Sequence, residues 1–310
     1  MAEPGRCLVV VGGTGGLGRR LVPALVQQGY RLRLLVRSLS KAVRLFPAGV
    51  EHYVWDSRRE LPERVLDGAW GVLNFAGAPI ARRWTPKYRQ IILESRVATT
   101  QRLVHALLSA QHSVQVFLSV SAIGYYGDCG EKECDEDTPA GMDFLASVCQ
   151  RWEEAALMAA ERVRVIIPRL GVVLDRQAGF LPHLVPSFRV FLGGMPGNGQ
   201  QWVSWIHWSD VVSFVLWGLQ IPTVGGVYNV VAPHAVRFRE LCQALGCLLQ
   251  RPCWLRIPVW GLRLRYGGLA DTLTASQRVL PRKVTEAGFN FRFPKLMEAL
   301  REELTESDSL

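Results

Sequence analysis

Gly12, Gly15 and Gly18 recur at a G-x-x-G-x-x-G spacing in LVVVGGTGGLG, directly after an apolar run at residues 8–11. That spacing suits one chemical task. One glycine lets the chain turn sharply, one lets backbone approach a pyrophosphate, and one lets the next helix pack close to the sheet. A helix opening near Gly16 then aims its free N–H groups, and the positive end of its dipole, at the anion. Gly13, Thr14, Gly16 and Leu17 fill the same turn. At the end of the following strand, residues 31–36, stand Arg37 and Ser38, with Lys41 close behind. A carboxylate there would hold a ribose 2′-hydroxyl, whereas a guanidinium pairs with a 2′-phosphate. The site expected is therefore for NADP(H).

The elements that must position these residues alternate along the chain. Leu17, Leu21 and Leu25 mark an apolar face on the first helix, which closes at Gly29; Pro23 inside it is awkward, because an interior proline costs about 3 kcal/mol or a kink. Further strands read at residues 50–54, 70–75, 114–120 and 163–167. A long helix reads from about residue 85 to 110, and an alanine-rich one from 142 to 161. This alternation predicts an α/β fold with a Rossmann-type, doubly wound parallel sheet. After Gly171 the texture changes to Gly, Pro and aromatic residues. Ser209 and Asp210 read as the cap of a helix running through Trp217, and residues 227–231 as a short strand. A helix follows from Phe238, and a last one covers 296–304. The division expected is a dinucleotide-binding domain at residues 1–175, with 206–232 returning to it. Residues 176–205 and 233–310 then form a small C-terminal α/β substrate lobe over the carboxyl ends of the strands.

Composition removes several functions. With 310 residues, 49% hydrophobic and 20% charged, the chain is long and apolar enough for a sizeable core. No run is apolar enough for a membrane span and the N-terminus resembles no secretory signal, so a cytoplasmic location is expected. Seven cysteines lie without metal spacing, which predicts reduced thiols and no metal. The net charge of +9 is spread over helices and strands with no basic stripe, so nucleic acid is not an expected partner. A small-molecule substrate is, with the oligomeric state, monomer or homodimer, left open.

Several segments together resemble an extended short-chain dehydrogenase/reductase of the nucleotide-sugar epimerase/dehydratase type. They are GGTGGLG, Asn74-Phe75-Ala76-Gly77, Ser119-Val-Ser121-Ala-Ile-Gly-Tyr125-Tyr126-Gly127, Arg169-Leu-Gly-Val-Val and Trp205-Ile-His207-Trp-Ser-Asp210. Ser95 to Thr100, Phe144 through Glu153, and Pro281-Arg-Lys with Gly288-Phe289 narrow this to the "epimerase family" subgroup with its own C-terminal extension. The resemblance spans nearly the whole chain and implies NADP(H) binding. It implies that Asn74, Phe75, Ala76, Gly77 and Ser119 line the cofactor. Ser121 takes the position of the catalytic serine, and Tyr126, Arg169, Trp205 and His207 face the substrate.

The same resemblance exposes a gap. These enzymes pair the serine with Tyr-x-x-x-Lys, the lysine lowering the tyrosine pKa so that it exchanges a proton near neutrality. Here Leu145 and Cys149 fall at those two positions. Three readings follow. The chain is an oxidoreductase, a reductase of a small carbonyl-type substrate, with a substitute acid such as Tyr125, Tyr126, Asp128 or His207; or it is a non-catalytic NADPH-binding sensor or regulator; or it is a structural protein stabilised by its cofactor. An unassisted phenol is an adequate acid and a poor base, which favours reduction and names Tyr125 with Ser121. For His207 the favoured reading is a structural hydrogen-bonder near the Asp210 cap. Trp202, Trp205 and Trp208 either wall a flat pocket with Gln200 and Gln201 or belong to the core. Asp56 either approaches the adenine or closes a turn. Arg96, where relatives carry Asn, has an open role, and residues 131–137 read as a solvated acidic loop.

Overall fold

β1 (Cys7–Val11) is buried along its whole length, as an apolar strand covered by helices on both faces must be. It leads through the glycine turn into α1 (Gly16–Gln27), β2 (Arg31–Val36), α2 (Leu39–Leu45), β3 (Val50–Val54) and β4 (Ala69–Asn74). α3 (Pro86–Glu94), α4 (Val97–Ser109), β5 (Val116–Ser119) and α5 (Phe144–Leu157) follow. The structure, a computed structural model, describes residues 5–46, 48–109 and 111–305. Its main sheet runs β3-β2-β1-β4-β5, continues through Arg164–Leu170 and ends at Gly226–Val230. All of these pairings are parallel. The expected Rossmann-type sheet is the observed one, with its switch point between β1 and β4, where ligands bind in such sheets.

Leu21, Val22 and Leu25 of α1 cover one face together with Val211, Phe214 and Val215 of the helix Trp208–Gln220. Leu103, Val104 and Leu107 of α4 cover the other with Ala156 of α5. A separate apolar cluster around Phe188, Trp205, Phe238, Leu241 and Leu300 forms the core of a C-terminal lobe. Among the described residues no helix is long and apolar enough to cross a membrane.

Two elements depart from the sequence pattern. The long helix expected over residues 85–110 is two helices, α3 and α4, broken at Ser95 and Arg96; residue 110 lies outside the described residues. At the break the Ser95 hydroxyl accepts the Ala78 N–H at 2.9 Å and donates to the Ile92 carbonyl at 3.1 Å. Local turn chemistry there serves a distant loop. The helix expected to be capped by Ser209 and Asp210 starts at Trp208 instead. Its cap is His207, whose Nδ1 accepts the Ser209 N–H at 3.2 Å. Asp210 accepts the backbone N–H groups of Arg292 and Phe293, fastening the C-terminal segment to this helix. α1, by contrast, runs straight through Pro23, which stands on its exposed side where water can satisfy the abandoned carbonyl.

Because Nδ1 of His207 accepts a backbone N–H, its proton sits on Nε2 and goes to Glu303 Oε1 at 2.9 Å. Glu303 also accepts the Trp208 indole N–H at 2.8 Å and the Arg176 N–H. Burial alone would raise this carboxyl, but the bonds from His207, Arg176 and Trp208 outweigh it and hold Glu303 below its ordinary 4.5. A depressed folded pKa gives stability that is complete above 4.5 and lost as pH falls through the folded value. Glu303→Gln should cost about 1.5–3 kcal/mol at neutral pH and flatten the acid side of the stability profile. Urea unfolding across pH checks this; identical acid slopes in the two proteins would contradict it.

Candidate functional site

At the carboxyl edge of the sheet Val11, Asn74 and Ser119 lie side by side, paired across β1, β4 and β5. The glycine turn closes just beyond them, with the Gly15 N–H on the Gly12 carbonyl at 2.9 Å. Gly12 has φ +82°, and a Cβ there would stand 2.5 Å from the Phe75 backbone carbonyl. A Cβ at Gly18 would stand 2.5 Å from the carbonyl oxygens of Gly12 and Gly13. Only glycine fits at either position. The turn thus keeps the open backbone concavity, and the helix N-terminus beyond it, that a pyrophosphate needs.

Asn74 is fully buried and fixes the facing loop. Its amide donates to Thr100 Oγ1 at 2.8 Å and Ser119 Oγ at 3.1 Å, and its carbonyl accepts the Ala76 N–H at 3.1 Å. Thr100 is held in turn by the Trp152 indole at 2.9 Å. Arg96 lies against Gly77 and donates to the carbonyls of Ala78 and Ile92. Its guanidinium also lies over Trp152, 5.3 Å from the ring centroid, and burial lowers its pKa. Arg96 is therefore a clamp on residues 75–78. The Ser95 and Arg96 pair in the sequence gave no sign of this, because the loop it grips is far away along the chain.

A second unforeseen contact sits over α1. Arg20 makes a bidentate pair with buried Asp175, at 2.8 and 3.2 Å, and stacks over Trp208. That pair brings down the turn carrying Ala178, with which a Cβ on Gly16 would collide. Arg37 and Ser38 stand exposed at the end of β2, and among the described residues Arg37 has no hydrogen bond or ion pair. Asp56 accepts the Arg58 N–H at 3.1 Å and so closes a turn.

Beyond β5 the register sets Ser121 opposite Arg169, and Arg169 opposite Asn229. Arg169 and Glu153 form a bidentate ion pair at 2.7 and 2.9 Å, both almost wholly buried. Ser121 donates its one hydroxyl proton to Glu153 at 2.6 Å. Arg169 also donates to the Tyr126 hydroxyl at 2.8 Å, which donates onward to Asn229 at 2.7 Å. Burial alone would lower the Arg169 pKa, but Glu153 overrides it and raises it. Burial drives the Tyr126 phenol far above its ordinary range despite the adjacent Arg169. The Tyr126 hydroxyl is thus a weakened acid, and its one proton is committed to Asn229. Tyr125 differs: half-buried, it lies flat on the Arg169 guanidinium, 3.4 Å from ring centroid to carbon, with no hydrogen bond from its hydroxyl among the described residues.

The missing relay is filled by apolar packing. Leu145 is buried against Gly124, and Cys149 is fully buried, its thiol pushed up to about 12 by burial first and Glu153 second. Neither moves a proton near neutrality. Trp205 is fully buried and donates to the His234 carbonyl, and His207 is bound at both ring nitrogens as described above. The three tryptophans share no wall: Trp202 is sandwiched by Arg237 and Arg278, and Trp208 lies on Arg20. The acidic loop expected to be solvated is exposed at Glu131, Glu133 and Asp137, and its carboxylates are also ion-paired. Glu131 meets Arg237, Glu133 meets Arg278, and Asp135 and Asp137 meet Arg282. The basic partners come from more than 100 residues further on, so the pairing leaves no mark in the local sequence. Among the described residues no group of three or more His, Cys, Asp or Glu is placed to hold a metal ion.

Comparison with known proteins agrees with this geometry. The model of the NAD dependent epimerase/dehydratase family matches residues 8–231, and a domain of unknown function, DUF1731, matches residues 257–303. The epimerase family protein SDR39U1 homolog, chloroplastic, of Arabidopsis thaliana is 40% identical, over 94% of this chain and 85% of that one. The epimerase family protein SDR39U1 of Mus musculus is 34% identical, over 95% of this chain and 98% of that one. The crystal structure of human SDR39U1 (isoform 2) with NADPH superposes at a TM-score of 0.86 with 30% identity, covering 98% of this chain and 100% of that one.

The Glu153–Arg169 pair carries a direct test. Glu153→Gln leaves a buried guanidinium without its counter-charge and should cost about 3–5 kcal/mol in urea unfolding. Glu153→Leu combined with Arg169→Met should recover most of that loss, since apolar replacement of a buried pair is often neutral. A single-variant cost of about 1 kcal/mol or less, the value of an exposed pair, would show that the charges are not desolvated.

Proposed function

We propose that this chain, which belongs to the NAD dependent epimerase/dehydratase family, binds NADPH and reduces a small carbonyl-bearing molecule. Residues 12–18 hold the pyrophosphate, residues 74–77 with Ser119 the ribose and nicotinamide side, and Arg37 with Ser38 the 2′-phosphate. The glycines that tolerate no Cβ, and the NADPH in the human relative's structure, support this placement. When bound, NADPH supplies a hydride. The chain supplies the proton, and Tyr125 Oη donates it to the substrate oxygen.

The observation that carries the reading is Tyr125 itself. Of the two phenols beside Ser121, it is the half-exposed one whose hydroxyl has no hydrogen-bond partner among the described residues, and Arg169 fixes its ring. Ser121 has spent its proton on Glu153, so its remaining role is to accept. Oxidising an alcohol, or epimerising a sugar, needs a base of the Tyr-x-x-x-Lys kind, and Leu145 and Cys149 provide none. Donation by a phenol is the easier direction. A second reading, an NADPH-binding regulator without turnover, is favoured by that same apolar relay position.

Two variants separate these readings. Tyr125→Phe should lower the rate of carbonyl-dependent NADPH oxidation by roughly 10²–10⁴-fold, the usual share of a general acid, with NADPH affinity retained. Unchanged turnover in this variant would remove Tyr125 from the mechanism. NADPH binding with no consumption across aldehydes and ketones would transfer the case to the regulator. Arg37→Asp should weaken NADPH roughly 10- to 100-fold, the worth of a charge-assisted hydrogen bond, and leave NADH nearly untouched. Equal losses for both nucleotides would sink the 2′-phosphate assignment.

A further inference from the structure

Cys129 and Cys134 take no part in the chemistry above, yet their sulfurs lie 2.7 Å apart, against about 2.05 Å in a disulfide. Both are free thiols. The backbone between them is folded back on itself already. Gly130 has φ +57°, its N–H is held by Asp128 at 3.1 Å, and the Lys132 N–H bonds to the Cys129 carbonyl at 3.0 Å. Cys134 is anchored on the short strand Glu133–Cys134, paired with Arg278–Val279. Closing a bond between the sulfurs therefore asks for little backbone movement.

The turn is also a fastening. The Cys129 N–H bonds to the Ser276 carbonyl at 2.8 Å, Asp128 accepts the Ser276 N–H at 3.0 Å, and the Ser276 hydroxyl donates to the Gly130 carbonyl at 2.6 Å. It starts at Gly127, directly after Tyr125 and Tyr126, and runs into the acidic residues that pair with Arg237, Arg278 and Arg282. It joins the candidate site to the C-terminal lobe.

We propose that Cys129 and Cys134 are a reversible dithiol–disulfide site at this junction, oxidised by a low-molecular-weight disulfide and restored by a dithiol. Cys129 is half-buried and Cys134 fully buried, so a small disulfide reaches Cys129 first. The Cys129 thiolate attacks one sulfur of the small disulfide, forming a mixed disulfide and releasing one thiolate. Deprotonated Cys134 then attacks the Cys129 sulfur, releasing the second thiolate. The protein thiols lose two electrons and two protons, and the small disulfide becomes two thiols. The S–H···S contact holds the Cys134 thiol below its ordinary value and Cys129 above it, so the first thiolate forms on Cys134, and the one remaining proton crosses the contact to expose the Cys129 thiolate that attacks. Cys242 and Cys253 also touch, but burial raises both thiols and Cys242 lies in the lobe's core.

The test uses the intact, folded chain equilibrated in buffers of oxidised and reduced glutathione, quenched in acid, unfolded, alkylated and digested. Cys129 and Cys134 should lose their alkyl labels together and appear as one internally bridged peptide, two hydrogens lighter. This should happen at a poise where Cys7, Cys149, Cys242 and Cys253 keep their labels, and reduced dithiothreitol should reverse it. Cys134→Ser should leave no bridge, with Cys129 recovered as its mixed disulfide or alkylated. Full labelling of Cys129 and Cys134 at the most oxidising poise, or a bridge from either to another cysteine, would overturn the proposal.

Discussion

A charge taken out of water must be paired, and in this fold Glu153 and Arg169 answer that demand for each other at the carboxyl edge of the sheet. Their bond joins α5 to the strand Arg164–Leu170, and through it much of the site is assigned. Glu153 takes the proton of Ser121; Arg169 holds Tyr126 against Asn229 and lies under Tyr125. Removing either partner would leave the other as an uncompensated ion. The pair therefore locks the Tyr126 hydroxyl into a closed network and leaves that of Tyr125 outside it.

The cofactor side depends on a different economy, that of space. Gly12 and Gly18 succeed because nothing larger than hydrogen fits beside Phe75 and the turn's own carbonyls. What keeps Phe75 there is the fully bonded Asn74, backed by Thr100 and Trp152, and the Arg96 clamp on the next residues. Ser95 and Arg96 break a helix to reach that loop. The turn carrying Ala178, which lies against Gly16, is held by the Arg20–Asp175 pair. Backbone concavity at the centre is thus maintained by charged side chains at its rim.

What could be read from the sequence was what is local. The glycine turn, the strand alternation and the run of Asn74 to Gly77 carry their meaning within a few residues, and the observed sheet follows them. The vacancy at Leu145 and Cys149 was equally legible, because a missing lysine is visible without coordinates. What fills the vacancy was not. Arg169 is one arginine at a strand end, and nothing along the chain announces its partner on α5. The ion pairs of the acidic residues 131–137 were hidden for the same reason, as their cations arrive from the 237–283 region. Asp210 looked like a cap because capping residues are recognised by type, yet its acceptors serve backbone more than 80 residues away.

The proposed function requires a site for a 2′-phosphorylated dinucleotide in a fold whose usual relay positions hold Leu145 and Cys149. The measurement that addresses it most directly is a titration of the wild-type chain with NADPH and with NADH, followed by energy transfer from tryptophan to nicotinamide. Saturable NADPH binding with NADH weaker by roughly tenfold or more, as one lost charge-assisted contact requires, is the predicted result. Failure of both nucleotides to bind would contradict it, and would reduce the glycine turn to a structural remnant.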